Sequence, residues 1–290
     1  MVKNYRIWSV FFCLFSIFIS AQTPDVVRIE FIGMPMNKSD VQISRVRLVT
    51  NIPIKVREKD KIIIGAEYNG INYNIQREVS FDSDVFKNFH VIDFNMAYMH
   101  QYNEDWRIIG VITPRISSTL NDGIQNGDIF LNITVGAYKD QQNIDKPTRL
   151  VLGIAYNASV ALRIPLPVIY YEKRFNPRWT YVIGAPKSGM KYHYNEKSLI
   201  QAEFILDGYY NNLQNNIMLP SGASATAISS SAALVTLGYQ YALGKNMFLY
   251  GYLGHALFRE EVLRDDNRKI TNTLNEDLGF FIRTGFRIGL

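Results

Sequence analysis

The chain has a single cysteine, Cys13, and it lies inside an apolar run near the N-terminus. Its neighbours Val10-Phe11-Phe12 lack the Leu-small-small-Cys pattern of a lipoprotein, so no lipid anchor is expected. Beyond that run the chain is cysteine-free, which excludes disulfides, thiolate metal sites and cysteine nucleophiles. Its stability has to come without covalent staples. Long apolar runs are missing too. Hydrophobic residues make up 47% of the chain, yet after the first twenty residues no uninterrupted stretch approaches the roughly 20 residues a membrane helix needs. The protein is therefore either water-soluble or crosses a membrane as strands. The sequence holds no HExxH, no paired-histidine or carboxylate cluster and no glycine-rich phosphate loop between a strand and a helix, so neither a metal nor a cofactor is expected. Strong charge is absent as well. The formal net charge is +5, too little for a dedicated nucleic-acid binder.

Lys3 and Arg6, the run Ile7 to Ile19 and then Ser20-Ala21 before Gln22 have the layout of a cleavable secretory signal peptide. The apolar core is too short for a spanning anchor. We read residues 1–21 as the signal and 22–290 as one domain. Cleavage after Ala21 removes two bases and no acid.

What the remainder has in abundance is aromatic rings and alternation. Eighteen Tyr and seventeen Phe suit the aromatic girdles that border a membrane barrel. Ile92, Phe94, Met96 and Tyr98 alternate with Asp93, Asn95 and Ala97. After a turn at Asn103-Glu104-Asp105, Trp106, Ile108 and Ile112 oppose Arg107, Thr113 and Arg115. Similar strands are expected at 26–33, 41–50, 62–75, 129–138, 150–156, 168–174, 178–183, 190–194, 199–210, 232–243 and 247–258. Turns at 195–197 and 244–246 are short, whereas Ser118 to Asp128 reads as a polar loop and Asn211 to Ser231 as the longest one. Arg259 to Asp277 reads as a charged connection into the last strand. Tight turns follow every second strand and most longer connections fall between them.

The closing stretch, Gly279-Phe280-Phe281-Ile282-Arg283-Thr284-Gly285-Phe286-Arg287-Ile288-Gly289-Leu290, places Phe280, Ile282, Phe286, Ile288 and Leu290 on one face and Arg283 and Arg287 on the other. Arginines aimed at the interior and oily residues aimed outward invert the polarity of a water-soluble barrel or sandwich and fit a membrane barrel. This stretch resembles the C-terminal insertion signal of bacterial outer-membrane barrels, with Leu290 where Phe is more usual. With the signal peptide and hairpins it resembles the outer-membrane barrels of unknown function of bacteroidete-type bacteria. The resemblance implies an all-β, transmembrane antiparallel up-and-down barrel, and counting the strands along the chain gives about 14, with 12 as the alternative. It also implies insertion into the outer membrane by the barrel-assembly machinery through Gly279 to Leu290, with outer-membrane lipid and lipopolysaccharide as surroundings.

The polar faces carry Arg45, Arg47, Arg107, Arg115, Arg149, Arg283 and Arg287 together with Glu67, Asp93, Glu203 and Asp207. These are the candidate lumen-lining residues. They either line an aqueous path, whose basic excess favours anionic solutes, or interlock as ion pairs that fill it. The leading functional expectation is a passive channel or solute-binding barrel of unknown substrate. One alternative is an enzyme modifying lipids of the outer leaflet, for which His255 is the weak catalytic candidate among His90, His100, His193 and His255. Another is a structural barrel acting through its external loops. Loop acids Asp82, Asp84, Asp122, Asp128, Asp265, Asp266 and Asp277 read as solvated, with calcium or cation-bridged lipid phosphate as the other reading.

Overall fold

A computed structural model of the protein describes residues 25–141, 144–158 and 164–289. The expected signal peptide, Cys13 and Leu290 lie outside the described residues.

The strands are β1 (Val27–Met34), β2 (Val41–Lys55), β3 (Asp60–Ile75), β4 (Phe89–Gln101), β5 (Trp106–Ser118), β6 (Ile129–Gln141), β7 (Thr148–Asn157), β8 (Pro165–Arg174), β9 (Trp179–Ala185), β10 (Lys187–His193), β11 (Ser198–Met218), β12 (Ser224–Ala242), β13 (Met247–Arg264), β14 (Ile270–Asn275) and β15 (Phe280–Ile288). Fourteen of them close an antiparallel barrel. Each pairs with its sequence neighbour, and β15 closes the ring between β1 (Val27↔Ile288) and β13 (Met247↔Ile288). The fifteenth, β14, pairs only with β13 and stands above the ring.

Alternation decides the two faces. Phe94, Met96, Ile108 and Ile112 are exposed on the outside, as are Ile200 and Phe204, while Arg45, Arg47, Asp93 and Glu203 are buried inside. A hydrogen-bonded ring leaves no strand edge unpaired, so the outer face needs no polar side chains to satisfy the backbone. One end of the ring is built from tight turns with a shared device. Asn103 accepts from the N–H groups of Asp105 (3.0 Å) and Trp106 (2.8 Å), Asn176 from those of Arg178 and Trp179 (2.9 Å each), and Asn195 from that of Lys197 (2.9 Å). An Asn carbonyl that replaces a backbone acceptor tightens the turn.

The other end departs from the sequence reading. Asn211 to Ser231 is largely strand: β11 and β12 continue upward and are joined by the short turn at Leu219 to Ala223, whose ends exchange a 2.9 Å bond. Arg259 to Asp277 is likewise the upper part of β13 followed by β14. Both stretches look like loops because their polar residues are numerous, but apolar residues set among them are buried. Leu213, Ile217, Ala225, Ile228 and Leu263 join Ile71, Tyr73, Phe89 and Val91 of β3 and β4 in one buried cluster. β4 and β11 lie seven places apart in the ring of fourteen, hence on opposite walls. The tall strands therefore lean across the mouth. Asn212 pairs with Ser118 of β5, and the Ser117 hydroxyl donates to the carbonyl of Tyr210 (2.9 Å) and to Asn211 (2.8 Å). An apolar roof results. Phe86, from the short 3-10 turn Ser83–Phe86 in the β3–β4 connection, is fully buried in it.

Beside these tall strands the same rim is low. β9 and β10 have seven residues each and are joined by Pro186 alone, not by a longer loop, whereas the adjacent β11 has 21.

Candidate functional site in the barrel interior

Inside the ring a row of charges crosses the wall from β1 to β5. Arg47 bonds both oxygens of Glu67 (2.8 and 2.9 Å) and lies 3.7 Å from Glu30. Asp93, directly opposite Glu67 in the register, receives two bonds of 2.6 Å from Arg115. Two acids face each other and each is held by its own arginine, which is the arrangement buried like charges require.

Other pairs span the interior. Arg45 of β2 reaches Asp207 of β11 (3.4 Å) and lies over the Tyr209 ring (4.6 Å). Arg283 of β15 donates to Glu203 of β11 (2.7 Å), which also pairs with Lys187 of β10. Two tyrosines lie flat between these groups because glycines stand beneath them. The Tyr250 hydroxyl donates to Glu30 (2.7 Å), and a Cβ on Gly285 would lie 2.6 Å from that hydroxyl. Tyr252 rests on Gly238 in the same manner, with the Arg283 guanidinium 4.0 Å above its ring.

Toward the tight-turn end this packing opens into a cavity of about 180 Å³. Its cations are Arg28, Arg149, Lys187, Lys191, Arg283 and Arg287, and its carboxylate is Glu30. Arg28 and Arg287 share Asp25, Lys191 pairs with Glu172 (2.7 Å) and Arg149 with Asp140 (3.3 Å). Arg107, at the same end, sits 5.9 Å from the Tyr138 ring. The sequence reading missed Arg28, Glu30, Lys187 and Lys191. Glu30 and Arg28 could have been found by extending the parity rule to the first strand; Lys187 stood in a gap between expected strands.

Under the roof, Arg259 and Glu261 are fully buried and joined by a 3.0 Å bond, with Asn275 and Ser230 also donating to Glu261. Asp128 is not a solvated loop acid. It is fully buried and accepts from Asn212 (2.7 Å), Gln214 (2.7 Å) and the N–H of Gln125 (2.8 Å), which ties β11 to the β5–β6 connection. Asp82 caps the N–H of Asp84 (2.9 Å), and Asp277 accepts from Ser39.

The four histidines lie apart, each against a different neighbour. His255 faces outward against Phe280, 5.4 Å away, and its Nδ1 lies 2.7 Å from the Ala256 carbonyl. His90 bonds Tyr68 (2.9 Å), His100 bonds Asp60 (2.7 Å) and His193 bonds Thr180 (2.9 Å). Among the described residues no group of three or more His, Cys, Asp or Glu is placed to hold a metal ion.

Residues 35–289 match the family model described as "Domain of unknown function (DUF6268)". The chain belongs to this family. No curated protein matches the sequence. Solved structures similar to it include the COG4313 outer membrane channel from Pseudomonas putida F1, with 8% identity, TM-score 0.45 and coverage of 95% of this chain and 100% of that one. The NanC porin has 10% identity, TM-score 0.40 and coverage of 91% and 100%. LpxR from Salmonella typhimurium has 6% identity, TM-score 0.39 and coverage of 91% and 100%.

Proposed function

We propose that the protein is an outer-membrane barrel that handles a small solute behind a closed outer mouth, and is not a standing pore. In this reading a signal peptide exports the chain, and the barrel-assembly machinery recognises Gly279 to Leu290. The outward apolar band meets outer-membrane lipid, with lipopolysaccharide around its outer half. Tight turns face the periplasm and the tall strands face outward, following the usual asymmetry of such barrels.

The observation that carries the closed mouth is the roof. Leu213, Ile217 and Ile228 pack against Phe89 and Val91 from the far wall. Water and ions do not cross a close-packed apolar layer, because it offers no partner for a hydrated charge. The ion pairs beneath it further fill the bore.

Planar-bilayer recordings test this. Wild-type protein should show little steady conductance, and replacing Leu213 to Ser229 with a short Gly-Ser turn should open long-lived ion currents. Large, steady wild-type currents that the deletion leaves unchanged would refute the closed mouth.

A further inference from the structure

The cavity at the tight-turn end has a property that a neutral ion-pair plug lacks: its two signs of charge are not equally placed. Asp25 and Glu203, which each serve two cations, have side chains only 1% exposed. Their partners Arg28, Arg287, Arg283 and Lys187 remain 15 to 25% exposed and line the cavity. Glu172 and Asp140 are outside the lining, while Lys191 and Arg149 are part of it. Glu30 is the one acid in the lining, and it is engaged by the Tyr250 hydroxyl (2.7 Å) and the Arg283 guanidinium (3.9 Å); the other acids are held behind the cations. A solute that enters meets six cationic side chains and one carboxylate.

Each carboxylate shared between two cations leaves donor capacity unspent. Arg283 gives one nitrogen to Glu203, and its buried Nε makes no hydrogen bond although Glu30 lies 3.9 Å away; the buried Nε of Arg149 likewise makes no hydrogen bond. Charge-assisted bonds to an oxyanion are the strong kind, and partial exclusion of water strengthens them. The cations also stand at two heights. Arg283 and Arg287 are four residues apart on β15, as are Lys187 and Lys191 on β10, which separates the levels by about 13 Å along each strand. The cavity of about 180 Å³ has room for a compact multivalent ion.

We propose that this cavity is a binding site for a small multivalent oxyanion, either a di- or tricarboxylate or a phosphate. It is entered from the tight-turn end, where Arg28, Arg149 and Arg287 stand. The site does not depend on which membrane holds the barrel or on whether the roof opens, so it can fail or stand separately from the closed-mouth reading.

The test is titration calorimetry on the purified barrel in zwitterionic detergent at low ionic strength, with citrate, inorganic phosphate and, as a cation control, spermidine. We expect citrate or phosphate to bind once per barrel, with affinity falling as salt is added, and spermidine to give no saturable heat. Binding of citrate alone assigns the carboxylate class, and binding of phosphate alone assigns phosphate. Lys187→Met combined with Lys191→Met should weaken that binding about tenfold or more, while heat-modifiability on gels stays that of the folded barrel. Should that double variant fail to fold, Arg28→Gln serves, because Asp25 keeps Arg287. Silence with both anions in the folded wild type, or undiminished binding in a folded variant, would overturn the proposal.

Discussion

Arg115→Ala and Arg283→Ala delete the same group from the same interior and should not cost the same. Asp93 is 4% exposed and depends on Arg115 for both of its 2.6 Å bonds. Without that guanidinium, a buried carboxylate is left uncompensated directly opposite Glu67. Breaking a buried pair in this way costs about 3–5 kcal/mol, and the facing acid puts this case toward the upper end. Arg283 leaves a better-provided site. Glu203 keeps Lys187, and Glu30 keeps Arg47 at 3.7 Å and the Tyr250 hydroxyl at 2.7 Å. Its loss is then nearer that of one charge-assisted hydrogen bond, about 1.5–3 kcal/mol. Urea unfolding of the barrel refolded into lipid vesicles, followed by tryptophan fluorescence, measures both. A third variant, Asp93→Leu with Arg115→Leu, strands no charge and should recover most of the Arg115→Ala loss. If Arg283→Ala proves as costly as Arg115→Ala, or the double variant no better than the single, the redundancy argument is wrong.

Asp128→Ala removes three hydrogen bonds, two of which tie the upper part of β11 to the β5–β6 connection. It should loosen the roof by about 1–3 kcal/mol, seen as faster amide exchange at Asn211 to Gln214 and as intermittent openings in bilayers. Ile112→Arg, on the outward band, should cost about 2–4 kcal/mol if that band meets lipid near the midplane, and Thr113→Arg, facing the interior, less; equal costs in vesicle refolding would contradict the facing. At the β4–β5 turn, Gln141 and then Lys139 hold the Asp105 carboxyl below its ordinary value of 3.8. A depressed folded value means that the contribution of this carboxylate is complete above the unfolded value and fades as pH falls through the folded one. Trp106 fluorescence in a Trp179→Phe background should therefore change only on acidification below about pH 4, and Asp105→Asn should abolish that transition.

Strand identity in this protein was legible because alternation is a local property. Ile92 to Tyr98 against Asp93 to Ala97, or Phe286 and Ile288 against Arg283 and Arg287, decide which face of a strand seeks water regardless of where it sits in the fold. The same parity marks Arg45, Arg47, Glu67, Asp93, Glu203 and Asp207 as one-sided charges. Fourteen strands in place of twelve, and the partner each charge takes, depend on how the ring closes. Arg45 and Asp207 are 162 residues apart and Arg283 and Glu203 are 80 apart, so only the stagger of β1, β15 and β11 brings them to one height. The roof was hidden for the same reason. Leu213, Ile217, Ala225 and Ile228 are scattered among Asn and Ser as in a solvated loop, and nothing nearby in the chain offers them a surface to bury against. Phe89 and Val91 supply it from the opposite wall once the barrel is narrow enough for β11 to lean across. Local pattern determines which side chains avoid water; only the closed tertiary structure decides what they meet.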